Sequence, residues 1–248
     1  MFRAYFYFLE TDMIATIVNC IAIIIGGLIG SIFGNRISQK YTDNIMTVMA
    51  LITFIIGIQG AVGTSNVLIV VICIVLGTVL GTAMKLDDRI NNSGEVLKSK
   101  LSGSKLVRGR FGDAFVTSTL LFCVGTMAIL GSIKAGLNKE YGILFTKSIM
   151  DFASAIAFSA ALGPGVIFSA VPILIFQGAI TLLAGVAEPF LTAEVITEMS
   201  AVGGPIFMGM SINLLGLREE RVKVGDMLPA IFMPIIYFPI AAFITSIL

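Results

Sequence analysis

Lys147 and Asp151 stand four residues apart in "FTKSIMDFASAIAF", Phe145 to Phe158, a stretch that is otherwise apolar. On a helix that spacing puts both, with Ser154, along one stripe. A carboxylate this deep in an apolar span costs on the order of 3 kcal/mol or more unless it is paired, protonated or facing water. Asp151 could therefore supply the charge for a bound cation or solute, with Lys147 as its counter-charge. Lys147 could equally snorkel to the interface. A lysine preceding an aspartate is the less favourable order on a helix, so Asp151 is expected to have a further partner, a cation or a polar group of another helix.

Four carboxamides are candidates for the neutral ligands: Asn19, Gln59, Gln177 and Asn213. An amide without a partner in hydrocarbon costs several kcal/mol, so each is expected to face protein or a cavity. Thr126 and Ser154 are secondary candidates.

Other chemistry is closed by composition. The chain has no histidine, which removes the usual general base and the commonest metal ligand. Cys20, Cys73 and Cys123 are far apart within apolar runs, which suggests neither a disulfide framework nor a thiolate metal site. Asp151 with Asp113 or Glu188 could form an acid pair, but no metal or nucleophile constellation accompanies it. The expectation is a protein that is not an enzyme and uses no cofactor or metal. A net charge of +1 argues against nucleic acid as a partner.

The elements that position these residues must be membrane spans. The 248 residues are 57% hydrophobic and 12% charged, with a mean hydropathy of +1.00; an average soluble domain is about 25% charged. Eight apolar runs are long enough for helical spans: Ile14 to Gly34, Asn44 to Val62, Asn66 to Met84, Ala114 to Ile133, Ile143 to Leu162, Val166 to Ala187, Val195 to Leu217 and Met227 to Leu248. The N-terminus lacks the pattern of a cleaved signal peptide, so the first run is expected to be retained. Residues 1–13 read as an extension.

Lysine and arginine accumulate in cytoplasmic loops. The stretch 85–111 holds Lys85, Arg89, Lys98, Lys100, Lys105, Arg108 and Arg110, so it should be cytoplasmic. Eight crossings then put Arg36, Lys40, Arg218, Arg221 and Lys223 on the same side, and the "VGTSN" turn and the acidic loop of Glu188, Glu194 and Glu198 outside. Arg3, Lys134 and Lys139 run against this pattern. Seven crossings would send the Arg218 to Lys223 loop outside. Leu86, Ile90, Leu97 and Leu101 recur at helical spacing, so 85–111 is expected to carry a short amphipathic helix that signals topology or binds anionic lipid headgroups.

The chain also resembles itself. "VNCIAIIIGG" from Val18 lies over "FQGAITLLAG" from Phe176, setting Asn19 against Gln177, and "GIQGAV" from Gly57 lies over "SINLLG" from Ser211, setting Gln59 against Asn213. More weakly, "FVTSTLLF" from Phe115 matches "FTKSIMDF" from Phe145. The order A-B-C-D followed by D′-A′-B′-C′ makes each pair point in opposite directions, an inverted repeat of the kind transporters use. The expected organisation is a first three-helix repeat at 14–84, the basic loop at 85–111, a central polar helix pair at 112–163 and a second three-helix repeat at 164–248.

Gly26, Gly30 and Gly34, and Gly77 and Gly81, recur at fours and are expected to let helix backbones approach. In the fourth segment, Gly125 beside Thr126 admits two readings: hydroxyls bonding their own carbonyls, or a helix opening midway to present backbone to an ion or solute.

Through "LLFCVGTMAILGSI", "FTKSIMD", "FQGAITLLAG" and "MSAVGGPIFMGMSINLLG" the chain resembles the bacterial YqgA/YdfK-like integral membrane family of unknown function, from about Ile14 to the C-terminus. The resemblance implies a multi-pass protein of the bacterial inner membrane, in a family often described as transporters. It supplies no site residues. The expected fold is all-α, a transmembrane bundle of about eight helices. The expected function is a transporter or ion-conducting protein for a small polar solute or a monovalent cation; the alternative is a membrane sensor, scaffold or assembly protein acting through its basic loop. Partners are the lipid bilayer and that solute or cation, with anionic lipid at 85–111 and homo-oligomerisation left open.

Overall fold

Hydrocarbon offers no hydrogen-bond partner to a backbone N–H or C=O, so a chain this apolar must satisfy its backbone internally. In a computed structural model every regular element among the described residues is helical. The backbone is described for residues 2–34, 36, 38–100, 110–123 and 125–247, and the side chains for 13–34, 36, 38, 40–100, 110–123, 125 and 127–243. The α-helices are α1 (Phe2–Gly34), α2 (Gln39–Val62), α3 (Val67–Ala83), α4 (Leu86–Lys100), α5 (Phe111–Cys123), α6 (Thr126–Asn138), α7 (Gly142–Leu162), α8 (Ala170–Leu182), α9 (Ala184–Ala187), α10 (Ala193–Leu215) and α11 (Met233–Ile247). Tighter 3₁₀ segments cover Pro164–Ser169, Glu188–Phe190 and Val224–Phe232.

Six stretches are long and apolar enough to cross a membrane, and eight if the bent pairs α3 with α4 and α5 with α6 each count as one span. The all-helical, multi-span fold read from the sequence is therefore present, with three corrections. The fourth expected span is not one helix: α5 and α6 meet at a 57° bend, beside Gly125, whose φ of 144° is open to glycine and strained for other residues. The sixth and eighth expected spans open with the 3₁₀ segments Pro164–Ser169 and Val224–Phe232 before becoming α-helical. Glu198 is no loop residue; it lies inside α10 and is wholly buried, whereas Glu188 and Glu194 are exposed.

The chain forms two units: residues 1–46 with 93–188, and residues 47–92 with 189–248. Each joins two segments that are far apart in the chain. In the first unit α1 runs parallel to α7: Cβ atoms added at Gly26, Gly30 and Gly34 would meet the carbonyl oxygens of Phe152, Ile156 and Ala160 at 2.6, 2.2 and 2.6 Å. The glycine stripe is thus a close-packing surface. Ser159 locks it by donating through Oγ to the Gly27 carbonyl at 2.7 Å. Helix α1 runs antiparallel to the 164–182 segment, with Gly27 against Ile167 and Met13 against Gly178. Helix α6 runs antiparallel to α7, with Gly131 against Leu144.

In the second unit α2 and α10 cross antiparallel, Gly57 against Gly204 and the Ser211 hydroxyl donating to the Ala50 carbonyl at 2.7 Å. Gly77 and Gly81 let α3 lie on the Val224–Phe232 segment, where added Cβ atoms would meet Ala230 Cα at 2.2 Å and the Asp226 carbonyl at 2.0 Å. Two buried aspartates tie the ends of these elements reciprocally. The Asp87 N–H donates to Asp226 Oδ1 at 2.9 Å, and the Gly225 N–H donates to Asp87 Oδ1 at 2.9 Å. Arg221 donates to Asn91 at 3.0 Å and to Asp87 at 3.3 Å, so the 218–223 loop lies against α4. At the other end, Glu198 accepts from the Thr64 hydroxyl at 2.6 Å and from both N–H and hydroxyl of Ser65 at 2.8 Å. Leu86, Ile90 and Leu97 are half-buried on α4, the expected amphipathic helix; Leu101, Lys105 and Arg108 lie outside the described residues.

Candidate functional site

The first unit holds a buried polar chain at its centre. Lys147 and Asp151 are only 6% and 7% exposed, and Asn19 and Gln177 are fully buried. Lys147 Nζ pairs with Asp151 Oδ2 along one face of α7. The same Oδ2 accepts from Asn19 Nδ2 of α1 at 3.0 Å, and Nδ2 also donates to Gln177 Oε1 of α8 at 3.4 Å. The second partner that the Lys-before-Asp order demanded is therefore the carboxamide of Asn19. Lysine does not snorkel here: its ammonium stands 5.8 Å from the centroid of the Phe122 ring, near the last residue of α5. The carbonyl end of a helix is its negative end, so the break after α5 favours a cation beside it. The Cys20 thiol, one residue on from Asn19, donates to the Ala170 carbonyl at 3.4 Å.

An unpaired carboxylate or ammonium here would be expelled or neutralised; the mutual pair and the amide make the charges tenable. The arrangement can hold a fixed dipole in a low-dielectric interior and present hydrogen-bonding groups beside it.

The remaining sequence candidates fall elsewhere. Asn213 belongs to the second unit, where its amide donates to the Val222 carbonyl at 2.9 Å and accepts from the Val222 N–H at 2.7 Å, pinning the loop after α10. Gln59, also in the second unit, is exposed. Ser154 is half-buried on α7, and the side chain of Thr126 lies outside the described residues. Of the eight candidates, then, the structure brings four together: Asn19, Lys147, Asp151 and Gln177.

Residues 14–239 match the family described as "Protein of unknown function (DUF554)". The chain belongs to that family. It is 30% identical to the uncharacterized membrane protein YdfK of Bacillus subtilis, over 93% of this chain and 98% of that one. It is 26% identical to the uncharacterized protein YqgA of Escherichia coli, over 89% of this chain and 94% of that one. No solved structure matches the chain. With a relative named a membrane protein and several helices long and apolar enough to span a bilayer, this is a membrane protein.

Within this family fold, sequence reasoning passed over Phe122 and the two aspartates of the second unit. Phe122 looked like any other apolar residue. Asp87 and Asp226 each lie in the first turn of a helical segment, a position where a carboxylate satisfies free N–H groups, and that signal was available.

Proposed function

We propose that this protein moves a small polar solute or a monovalent cation across the membrane, with the Lys147–Asp151–Asn19–Gln177 chain as its binding locus. The observation that carries this reading is a charged pair and two carboxamides buried together, joined across α1, α7 and α8 and placed beside an interrupted helix. A span packed only for stability has no need of buried charge; apolar residues of similar volume do at least as well. Ionisable groups inside a membrane bundle mark substrate and ion pathways more often than they mark packing. Interrupted helices near such groups support the same reading, because a break is tolerated where backbone lines a cavity. The bacterial cytoplasmic membrane is the proposed location.

Solvent access provides the test. In a variant lacking Cys20, Cys73 and Cys123, Asp151→Cys should react with a charged methanethiosulfonate reagent added to intact membranes. Protein that elutes as the parent does on gel filtration yet stays unlabelled from both faces would rule out a transport pathway at Asp151. A sensor or scaffold working through the 85–111 segment would then be the better account.

A further inference from the structure

Resting on that reading, and naming its substrate class, we propose that the junction of α1, α6 and α8 is a binding site for a small uncharged solute carrying both donor and acceptor groups, of amide, urea or polyol type. Five side-chain atoms there are buried without a hydrogen-bond partner: Thr16 Oγ1, Asn19 Oδ1, Ser132 Oγ, Gln177 Nε2 and Thr181 Oγ1. Their residues are at most 3% exposed. Buried polar groups are ordinarily satisfied, and a cluster that is not points to a missing bound partner.

Helix geometry gathers them. Thr16 and Asn19 are three apart on α1 and Gln177 and Thr181 four apart on α8, so each pair shares a face, and the Asn19–Gln177 bond turns those faces together. Helix α6 joins through Gly136, where an added Cβ would lie 2.2 Å from the Thr181 carbonyl. Ser132, one turn earlier on the same face of α6, stands level with Gln177, because α6 and α8 are both antiparallel to neighbours that are themselves parallel, α7 and α1. The hydroxyls had an ordinary alternative. Thr53, Ser118 and Ser148 each donate to the carbonyl four residues back, at 2.8, 2.6 and 2.8 Å. Thr16, Ser132 and Thr181 make no such bond.

The charge and polarity of the site select the ligand. A carboxylate only accepts, so Asp151 forces Asn19 to turn its NH₂ toward it and leave Oδ1 free as an acceptor. That NH₂ in turn claims Gln177 Oε1, leaving Nε2 free as a donor. A free acceptor, a free donor and three hydroxyls suit a neutral molecule that offers both functions. A cation fits poorly: an N–H donor points into the site, and Lys147 already neutralises the nearest carboxylate. The ion pair thus orients the two amides and leaves no net charge beside the ligand.

Thermal unfolding of the purified full chain in detergent, titrated with acetamide, urea and glycerol and separately with NaCl and KCl, tests this without requiring flux. At least one neutral probe should raise Tm saturably, by about 3 °C at ten times its half-saturating concentration. That rise should be lost in Thr181→Val, Ser132→Ala and Gln177→Glu variants whose unliganded Tm stays near the parent's. Saturable stabilisation by Na⁺ or K⁺ that these variants abolish would overturn the assignment. So would a parent whose response to every neutral probe matches that of the variants. Neutral-solute binding with Asp151→Cys unlabelled in membranes would keep this site and refute transport, so the two readings fail separately.

Discussion

At the scale of single residues, the Lys147–Asp151 pair is held by what surrounds it, and its energetics differ from those of a surface ion pair. Removing one partner leaves a buried charge uncompensated, which costs about 3–5 kcal/mol, whereas replacing both with apolar residues of similar volume is often near neutral. Lys147→Met should therefore lower the Tm strongly and Lys147→Met/Asp151→Leu should restore most of the loss. Equal Tm values for the single and double variants would mean the two groups are not coupled. Much of this site was legible beforehand. Lys147 and Asp151 are conspicuous in an apolar run, and the self-match singled out Asn19 with Gln177, whose side chains hydrogen-bond at 3.4 Å. Thr16, Ser132 and Thr181 were not legible, because a membrane helix holds many hydroxyls and sequence does not tell which of them forgo the carbonyl four residues back. Asn213 misled for a related reason: a carboxamide serves a loop as readily as a ligand, and only its partner Val222 distinguishes the two.

At the scale of elements, the segments that match in sequence lie against each other in antiparallel pairs. The first and sixth segments lie antiparallel in one unit, and the second and seventh do so in the other. The residue offset that lays Gly57 on Ser211 also lays Ala50 on Gly204, and both Gly57–Gly204 and Ala50–Ser211 are contacts. Both contacts belong to the one antiparallel crossing of α2 and α10. Segment boundaries were legible from hydropathy to within a few residues for most helices, but the break at Gly125 was weighed only as one of two readings. Its cause is backbone conformation, which composition does not display. Three glycines separate the reasons for having glycine. Gly30→Ala puts a Cβ 2.2 Å from the Ile156 carbonyl, so it must push α1 from α7 and should cost about 1–3 kcal/mol. Gly125→Ala meets nothing within 4 Å but requires a φ of 144°, and should cost about 1–3 kcal/mol by strain alone. Gly142→Ala has open space and no such φ, and should be neutral or stabilise by up to about 1 kcal/mol. Comparing the three Tm values with that of the parent checks the order. A Gly142→Ala loss as large as the Gly30→Ala loss would contradict it.

At the scale of the whole molecule, the number of crossings follows from parity. Arg221 bonds Asp87 and Asn91, and Lys223 lies 3.4 Å from Asp88, so the 218–223 loop and the start of α4 share one side of the membrane. An even number of crossings must separate them. Between them lie the α5–α6 pair, α7, the 164–182 span and α10; with the last three each crossing once, parity predicts that the bent α5–α6 pair crosses once as well. A re-entrant α5–α6 would leave three crossings and set Arg221 and Asp87 on opposite faces. Glu198 gives the same answer from the other side, because its bonds to Thr64 and Ser65 place the start of α10 with the α2–α3 turn. With each bent pair counted as one span the total is eight, and the lysine and arginine bias then predicts that the 218–223 side is cytoplasmic. Single cysteines introduced at Asn66 and Glu140 should accordingly react with a membrane-impermeant maleimide on intact cells, while cysteines at Arg36 and Glu219 should react only after the membrane is opened. Labelling of Glu219→Cys but not of Glu140→Cys on intact cells would mean that an even number of crossings separates Asn66 from Glu219, and the α5–α6 pair would have to be re-entrant.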